Sequence, residues 1–254
     1  MENDHVLAEN LGLTAEQRKA VEFLTEFTRR MVLMAFPEKK SPSRAINLIK
    51  EVYRFTDEMI AGCTQKSGAR LPCKKGCFWC CFLRVRVTPL EVMCIVDDLR
   101  SRLKPEEIFS LRQRIIRTDE ITRGMIGYQR VRAKMMCPLL VEGECTSYPL
   151  RPIECRVYHS LSSSDCEALL VKVDASVAVR HDIFGLSTGI LTGLAEGLQS
   201  VGLPTRQLEL IAGLRILLDD SGSRLGERWL SGKPAFAGAE IAIAGEQVHL
   251  TGET

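Results

Sequence analysis

Four cysteines fall within nine residues, in the pattern Cys73-x3-Cys77-x2-Cys80-Cys81. Four more follow at Cys137, Cys145, Cys155 and Cys166; with Cys94 between the two groups, nine of the ten cysteines lie between positions 73 and 166, and the last 88 residues hold none. Thiolates are soft ligands that suit zinc and iron–sulfur centres alike. Short loops between them cost little closure entropy, so several can converge on one ion. Gly76 permits the sharp turn that such a loop needs. Adjacent side chains point to opposite sides of an extended backbone. Cys80 and Cys81 are therefore expected to serve two centres, or one is a bystander, with Cys80 the expected ligand. A hairpin through Gly143 would bring Cys137 and Cys145 together, with Cys155 across the rigid segment YPLRP and Cys166 beyond it in SSSDCE. The expected metal ligands are Cys73, Cys77, Cys80, Cys137, Cys145 and Cys155, with Cys81 and Cys166 as additions. A crowd of thiolates is stabilised by nearby cations, and Lys74, Lys75, Arg151 and Arg156 are at hand, the arginines either in that role or as surface or carbonyl-capping residues.

The other chemistry-bearing residues are sparser. Of His5, His159, His181 and His249, only His159 lies near the cysteines, as a ligand or a polar neighbour. Asp165 and Glu167 flank Cys166 and are expected to face solvent. Cys63 and Cys94 sit in apolar helical stretches and are expected to pack as small hydrophobes. No serine-hydrolase elbow, phosphate-binding glycine loop or dinucleotide fingerprint is present.

The elements that must position these residues are mostly helical. Residues 14–35 read as a helix opened by a Thr14–Gln17 capping box, and 43–66 as a second. After the irregular loop 67–81, FLRVRV alternates as a short strand. Thr88, Pro89 and Glu91 then mark a helix start. A helix is expected over 104–124, a tight hairpin and one helical turn over 137–160, one or two helices over 175–202, and another over 208–218. The tail AEIAIAGEQVHLT alternates weakly, as a hairpin or an unstructured end. Without a run of βαβ units, a large parallel sheet is not expected. The expected fold is mainly α, with helices around a loop-rich, cysteine metal-binding knuckle and short β-hairpins. Three segments are expected: 1–66 and 171–254, both helical, and 67–170 bearing the metal.

Composition narrows the setting. With 45% hydrophobic and 26% charged residues the chain is an ordinary globular one, and a net charge of +2 indicates no nucleic-acid partner. The acidic, polar start and the lack of an apolar run of about 18 residues predict a cytoplasmic protein without a membrane span. Reducing conditions there disfavour structural disulfides, which again points to metal as the reason for the cysteines.

The run Cys73-KKG-Cys77-FW-Cys80-Cys81 followed by VRVTPLE, and Cys137-PLLVEGE-Cys145-TSYPLRPIE-Cys155-R continuing through YHS to Asp165-Cys166-Glu167, resembles the YkgJ-type cysteine-cluster family. The later RWLSGKPAF is similar to family tails. The commoner family opening has two residues between the first cysteines, where this chain has three. The resemblance implies chelation of zinc or iron, a 4Fe-4S cluster included, and specifies no reaction. A flagellin lysine methylase carries a similar pattern, which implies S-adenosylmethionine-dependent modification such as protein lysine methylation as an alternative. Cys73-x3-Cys77-x-Trp79-Cys80 also matches the three-cysteine loop of radical S-adenosylmethionine enzymes, which would require a partial β/α barrel. A zinc-stabilised protein-interaction module is the third reading.

Overall fold

The structure, a computed structural model, describes residues 14–68, 71–172, 175–219 and 224–241. It is mainly helical. Helix α1 (Ala15–Ala35) opens with the reciprocal box: Gln17 N donates to Thr14 Oγ1 at 3.2 Å and Thr14 N to Gln17 Oε1 at 2.8 Å. Helix α2 (Pro42–Ser67) is capped by the Ser41 hydroxyl. Helices α3 (Pro89–Arg102) and α4 (Pro105–Thr122) follow, each with proline in its first turn. The short α5 (Gly127–Arg132), α6 (Ile153–Val157) and α7 (Ser163–Val171) surround the cysteine region. Helices α8 (His181–Ser200), α9 (Leu210–Asp219) and α10 (Arg224–Leu230) complete the described elements.

Strands are minimal. Of FLRVRV only β1 (Arg86–Val87) is extended, and its partner is β4 (Leu208–Glu209), antiparallel and far away in the chain. It therefore belongs to no hairpin. Its pairing draws Leu208 and Glu209 out of the helix expected there, so α9 starts at Leu210. Residues 239–241 of the alternating tail add to β4, through Glu209 N to Ala239 O and Ile241 N to Gln207 O. The rest of that tail lies outside the described residues, as do His5 and His249. The hairpin expected at Gly143 is present as β2 (Leu140–Val141) and β3 (Glu144–Cys145). Glu142 and Gly143 carry φ of 51° and 80° in its turn, the left-handed pair that a two-residue hairpin needs.

One hydrophobic cluster runs from Leu24 in α1 to Ala239 and joins all three segments. Helix α3 lies at its centre, with its first half, through Leu90, Val92, Cys94, Ile95 and Val96, buried on every side and its last turn open to solvent at Asp97, Arg100 and Ser101 while Leu99 stays buried. Among the described residues no helix is long and apolar enough to cross a membrane.

The outer pair, α1 and α8, packs in parallel and very closely. Gly189 lies against Val21, Gly193 against Thr25, and Gly197 against Val32, so both chains advance together. A β-carbon on Gly189 would stand 2.6 Å from the Val21 carbonyl oxygen, one on Gly197 2.6 Å from Val32 Cβ, and one on Gly193 would overlap the Thr25 carbonyl oxygen. A glycine every four residues thus lets two backbones touch, close enough for Cα–H···O contacts.

Gly193→Ala should therefore cost about 1–3 kcal/mol or more by overpacking. Gly62→Ala, in α2 with open space around its α-carbon, should be neutral or gain up to about 1 kcal/mol of helix propensity. Urea denaturation of the two variants checks this; equal stability would mean that the helices do not approach so closely.

Candidate metal centre

The first cysteine loop is built from two tight turns. Cys77 N donates to Lys74 O at 3.0 Å around Gly76, whose φ is 88°. A 3-10 turn then spans Trp79–Phe82, with Cys81 N bonded to Phe78 O and Leu83 N to Cys80 O. Cys80 and Cys81 are therefore not in extended backbone. The expectation that their side chains diverge fails for that reason: the Cys81 thiol lies beside that of Cys80.

The second half arrives on several elements. Cys137 N donates to Cys81 O at 2.8 Å, which docks the hairpin strand region on the first loop. Cys145 pairs with Leu140 across the hairpin. Cys155 lies on α6 and Cys166 on α7, a helix not expected from the sequence, which begins with Ser162 capping Asp165 N. Helix α7 packs on the 3-10 turn. Ser160 N donates to the Cys73 sulfur at 3.3 Å.

Two buried charged residues hold this second half in place. Glu91, 1% exposed, is the N3 residue of the α3 capping box and accepts from Thr88 N at 2.7 Å and Thr88 Oγ1 at 3.0 Å. Its other oxygen accepts from Ile153 N at 2.8 Å, the first residue of α6. Burial raises its pKa, against these donors. Arg156, 2% exposed, donates to Arg151 O, Pro149 O and the Asp57 carboxylate, and its guanidinium lies 4.2 Å from the Tyr53 ring centre. Of the two roles expected for it, counter-charge or capping of carbonyls, Arg156 takes the second and clamps residues 149–156. Lys75 pairs with Glu144 at 2.9 Å and ties the first loop to the hairpin. Arg151 is the cation that faces the thiols Cys80 and Cys145, while stacking 4.4 Å over Tyr148.

The thiols share one neighbourhood. Cys73 feels the charges of Cys77, Cys166 and Cys80. Cys81 feels Cys137, Cys80 and Cys155, and Cys155 feels Cys80, Cys137 and Cys145. Each of the eight expected ligands thus lies within electrostatic reach of at least two others. Burial pushes the Cys73 thiol up to about 11 and Cys137 up to about 12, and raises Cys145, Cys155 and Cys166 as well. Backbone N–H groups work in the opposite direction, that of Ser160 on Cys73, Leu139 on Cys137 and Ser147 on Cys145. Cys80 alone is lowered, to about 7, chiefly by the adjacent Cys81 S–H, which is itself raised by Cys80. Among the described residues no three His, Cys, Asp or Glu side chains close into a ready ligand set. The chain places soft donors side by side, and an ion would have to draw them in.

The remaining candidates separate. Cys94 is fully buried in α3 and Cys63 half-buried in α2 against the core, as expected. His159 is buried, its ring nitrogens have no hydrogen-bond partner among the described residues, and burial followed by the Arg151 charge lowers its pKa. Its charged neighbours are Arg151, Arg180 and Asp57 rather than a thiol. Asp165 is half-buried and Glu167 exposed. One residue escaped the sequence reading: Arg130 on α5, 1% exposed, with Nη1 donating to Met135 O at 2.6 Å and its Nε and Nη2 without a partner among the described residues. Burial lowers its pKa, and the ionisable groups beside it that act against this are Glu209 and Cys137. The basic run RVRAK just before Cys137 was its only signal.

Compared with protein-family models, curated proteins and solved structures, the chain has no match in any of the three.

In reduced, metal-free protein, ultraviolet thiolate absorbance should show one thiol ionising near pH 7, with the thiols that burial raises following above their ordinary value of about 8.5. Cys81→Ala removes that S–H and should move the early step upward. An unchanged early step in that variant would show that Cys81 does not supply it.

Proposed function

We propose that this protein is a metal-binding protein that chelates zinc or iron through its clustered cysteines, iron either as a single ion or as an iron–sulfur cluster. The observation that carries this reading is the convergence of eight thiols from the first loop, the hairpin region, α6 and α7 on one neighbourhood, while Cys63 and Cys94 stay in the hydrocarbon core. An all-sulfur donor set suits zinc and iron–sulfur centres better than hard cations, which prefer oxygen. Burial holds most of these thiols protonated, and a few groups work the other way, toward the thiolate. Backbone N–H groups face three of the sulfurs, Arg151 faces Cys80 and Cys145, and the half-satisfied Arg130 lies beside Cys137. The resemblance to YkgJ-type cysteine-cluster proteins supports the same reading.

Each part of the chain then has a task. The tight turns of the first loop present Cys73, Cys77, Cys80 and Cys81. The hairpin presents Cys137 and Cys145. Glu91 and Arg156 hold the segment bearing Cys155, and α7 delivers Cys166. When bound, the metal cross-links these segments, and an iron–sulfur cluster would add one-electron chemistry. The radical S-adenosylmethionine reading asks for a β/α barrel, and the described residues contain only two-residue strands.

Protein purified without oxygen should carry stoichiometric zinc, or iron with a broad visible band and acid-labile sulfide. Metal-free protein that refuses both zinc and iron, with all its thiols freely titrating, would overturn the reading. Since burial keeps most of these thiols protonated at pH 7, binding must release protons, so affinity should rise with pH and fall on acidification. Competition titrations at pH 6, 7 and 8 measure that slope. Chelation should open residues 137–166 to protease while leaving most of the helical circular dichroism, because α1, α3 and α8 have their own apolar packing.

A further inference from the structure

We propose that the eight cysteines build two adjacent metal positions, an outer one held by Cys73, Cys77, Cys80 and Cys166 and an inner one held by Cys81, Cys137, Cys145 and Cys155. The proposal rests on the metal-binding reading above and specifies how many sites that reading contains and which thiols belong to each.

The backbone divides the thiols before any charge is considered. Ser160, fully buried, holds the outer group together. Its N–H donates to the Cys73 sulfur at 3.3 Å and its hydroxyl faces Cys166, so a single residue joins two thiols from opposite ends of the cysteine region. Helix α7 lays Cys166 on the 3-10 turn that carries Cys80. Around this group lies a small hydrophobic cluster of its own, with Cys166, Val177 and Val179 buried and Trp79, Tyr158 and Leu169 against them. The inner group is held differently. Cys137 N is bonded to Cys81 O at 2.8 Å, Cys145 lies across the hairpin, and Cys155 is on α6, anchored through Ile153 to Glu91. Cys137 and Cys145 pack against the main core and not against the small cluster.

The neighbourhoods follow the same division except at Cys80, which faces Cys81, Cys145 and Cys155 as well as Cys73 and Cys166. The thiols around Cys73 and Cys166 are Cys77 and Cys80. Those around Cys81 and Cys155 are Cys137, Cys145 and the adjoining Cys80. The division runs between Cys80 and Cys81, neighbours in the 3-10 turn, and Cys80 stands at the seam. Its place in the outer group follows from the first loop, which offers three thiols at short spacing and needs only Cys166 to make four. Four thiolates complete a tetrahedral site with no open position. Two such sites account for every cysteine of the region and for neither Cys63 nor Cys94.

The test is titration of the reduced full-length protein with cobalt(II), which reports sulfur ligation by thiolate charge-transfer bands and tetrahedral geometry by visible d–d bands, with zinc competition and metal content measured in parallel. The expected result is two equivalents per chain for the parent protein and one for Cys166→Ala. Cys73→Ala should match Cys166→Ala, and Cys137→Ala should lose the other equivalent, so that Cys166→Ala combined with Cys137→Ala binds none. Circular dichroism checks that each variant keeps its helices, and the parent stoichiometry stands whether or not a variant folds. One equivalent in the parent protein overturns the two-site arrangement and leaves metal binding intact. Two equivalents that both vanish in well-folded Cys166→Ala overturn the division of ligands. No cobalt or zinc bound by the parent protein, together with no iron after anaerobic reconstitution, overturns the metal-binding reading itself.

Discussion

The Glu91 carboxylate is shared between two helix starts, and the geometry of the cysteine region depends on that sharing. A capping box on a surface helix is a local device. Here the box is buried, and the oxygen it leaves over accepts the N–H of Ile153. A buried carboxylate without donors would cost several kcal/mol, so the position tolerates little but the arrangement seen. Helix α3 is the centre of the hydrophobic cluster, and α6 carries Cys155. One side chain thus transmits the placement of the core to the second half of the thiol group. The next residue, Glu154, accepts from Arg86 Nε at 2.7 Å and fixes α6 to β1 as well.

The electrostatics of the thiol group follow from its burial. A protonated thiol is nearly apolar and fits among Leu139, Ile153 and Val157 at no great cost. A thiolate there needs donors and cations. The fold supplies both in modest number: N–H groups at Ser160, Leu139 and Ser147, the Arg151 guanidinium, and the deeply placed Arg130. Arg130 is the more telling of the two cations, because a buried guanidinium with two nitrogens unsatisfied is costly by itself. Its cost falls when the groups beside it, Cys137 and Glu209, are negative. The fold therefore carries part of the complement of an ionised cluster in its own interior.

Much of this was legible in the chain because the signals are local. The boxes Thr14–Gln17 and Thr88–Glu91, the turn at Gly143 and the apolar setting of Cys94 each depend on residues a few positions apart. What escaped depends on distant partners. β1 needs β4, more than a hundred residues later, and nothing in RVRV names it. Helices α5 and α7 are short and weakly patterned, and neighbours hold them rather than propensity. Cys80 and Cys81 were judged on an extended backbone, whereas a 3-10 turn turns the two thiols toward each other. The glycines at 185, 189, 193 and 197 did carry a four-residue spacing, but their meaning appears only once α1 is seen lying against them.

That pairing of α1 with α8 has a consequence for how the molecule comes into being. The partner surface for α1 is not synthesised until residues 36–180 have been, which at ordinary elongation rates takes on the order of 10 s. Through that interval α1 has no glycine face to lie on, and contacts so distant in sequence are slow to form in any case. All eight thiols of the cysteine region, by contrast, are synthesised before α8 and emerge from the ribosome ahead of it. Their encounter with solvent precedes the closing of the helical pair, so the order of translation presents the thiols before it completes the fold around them.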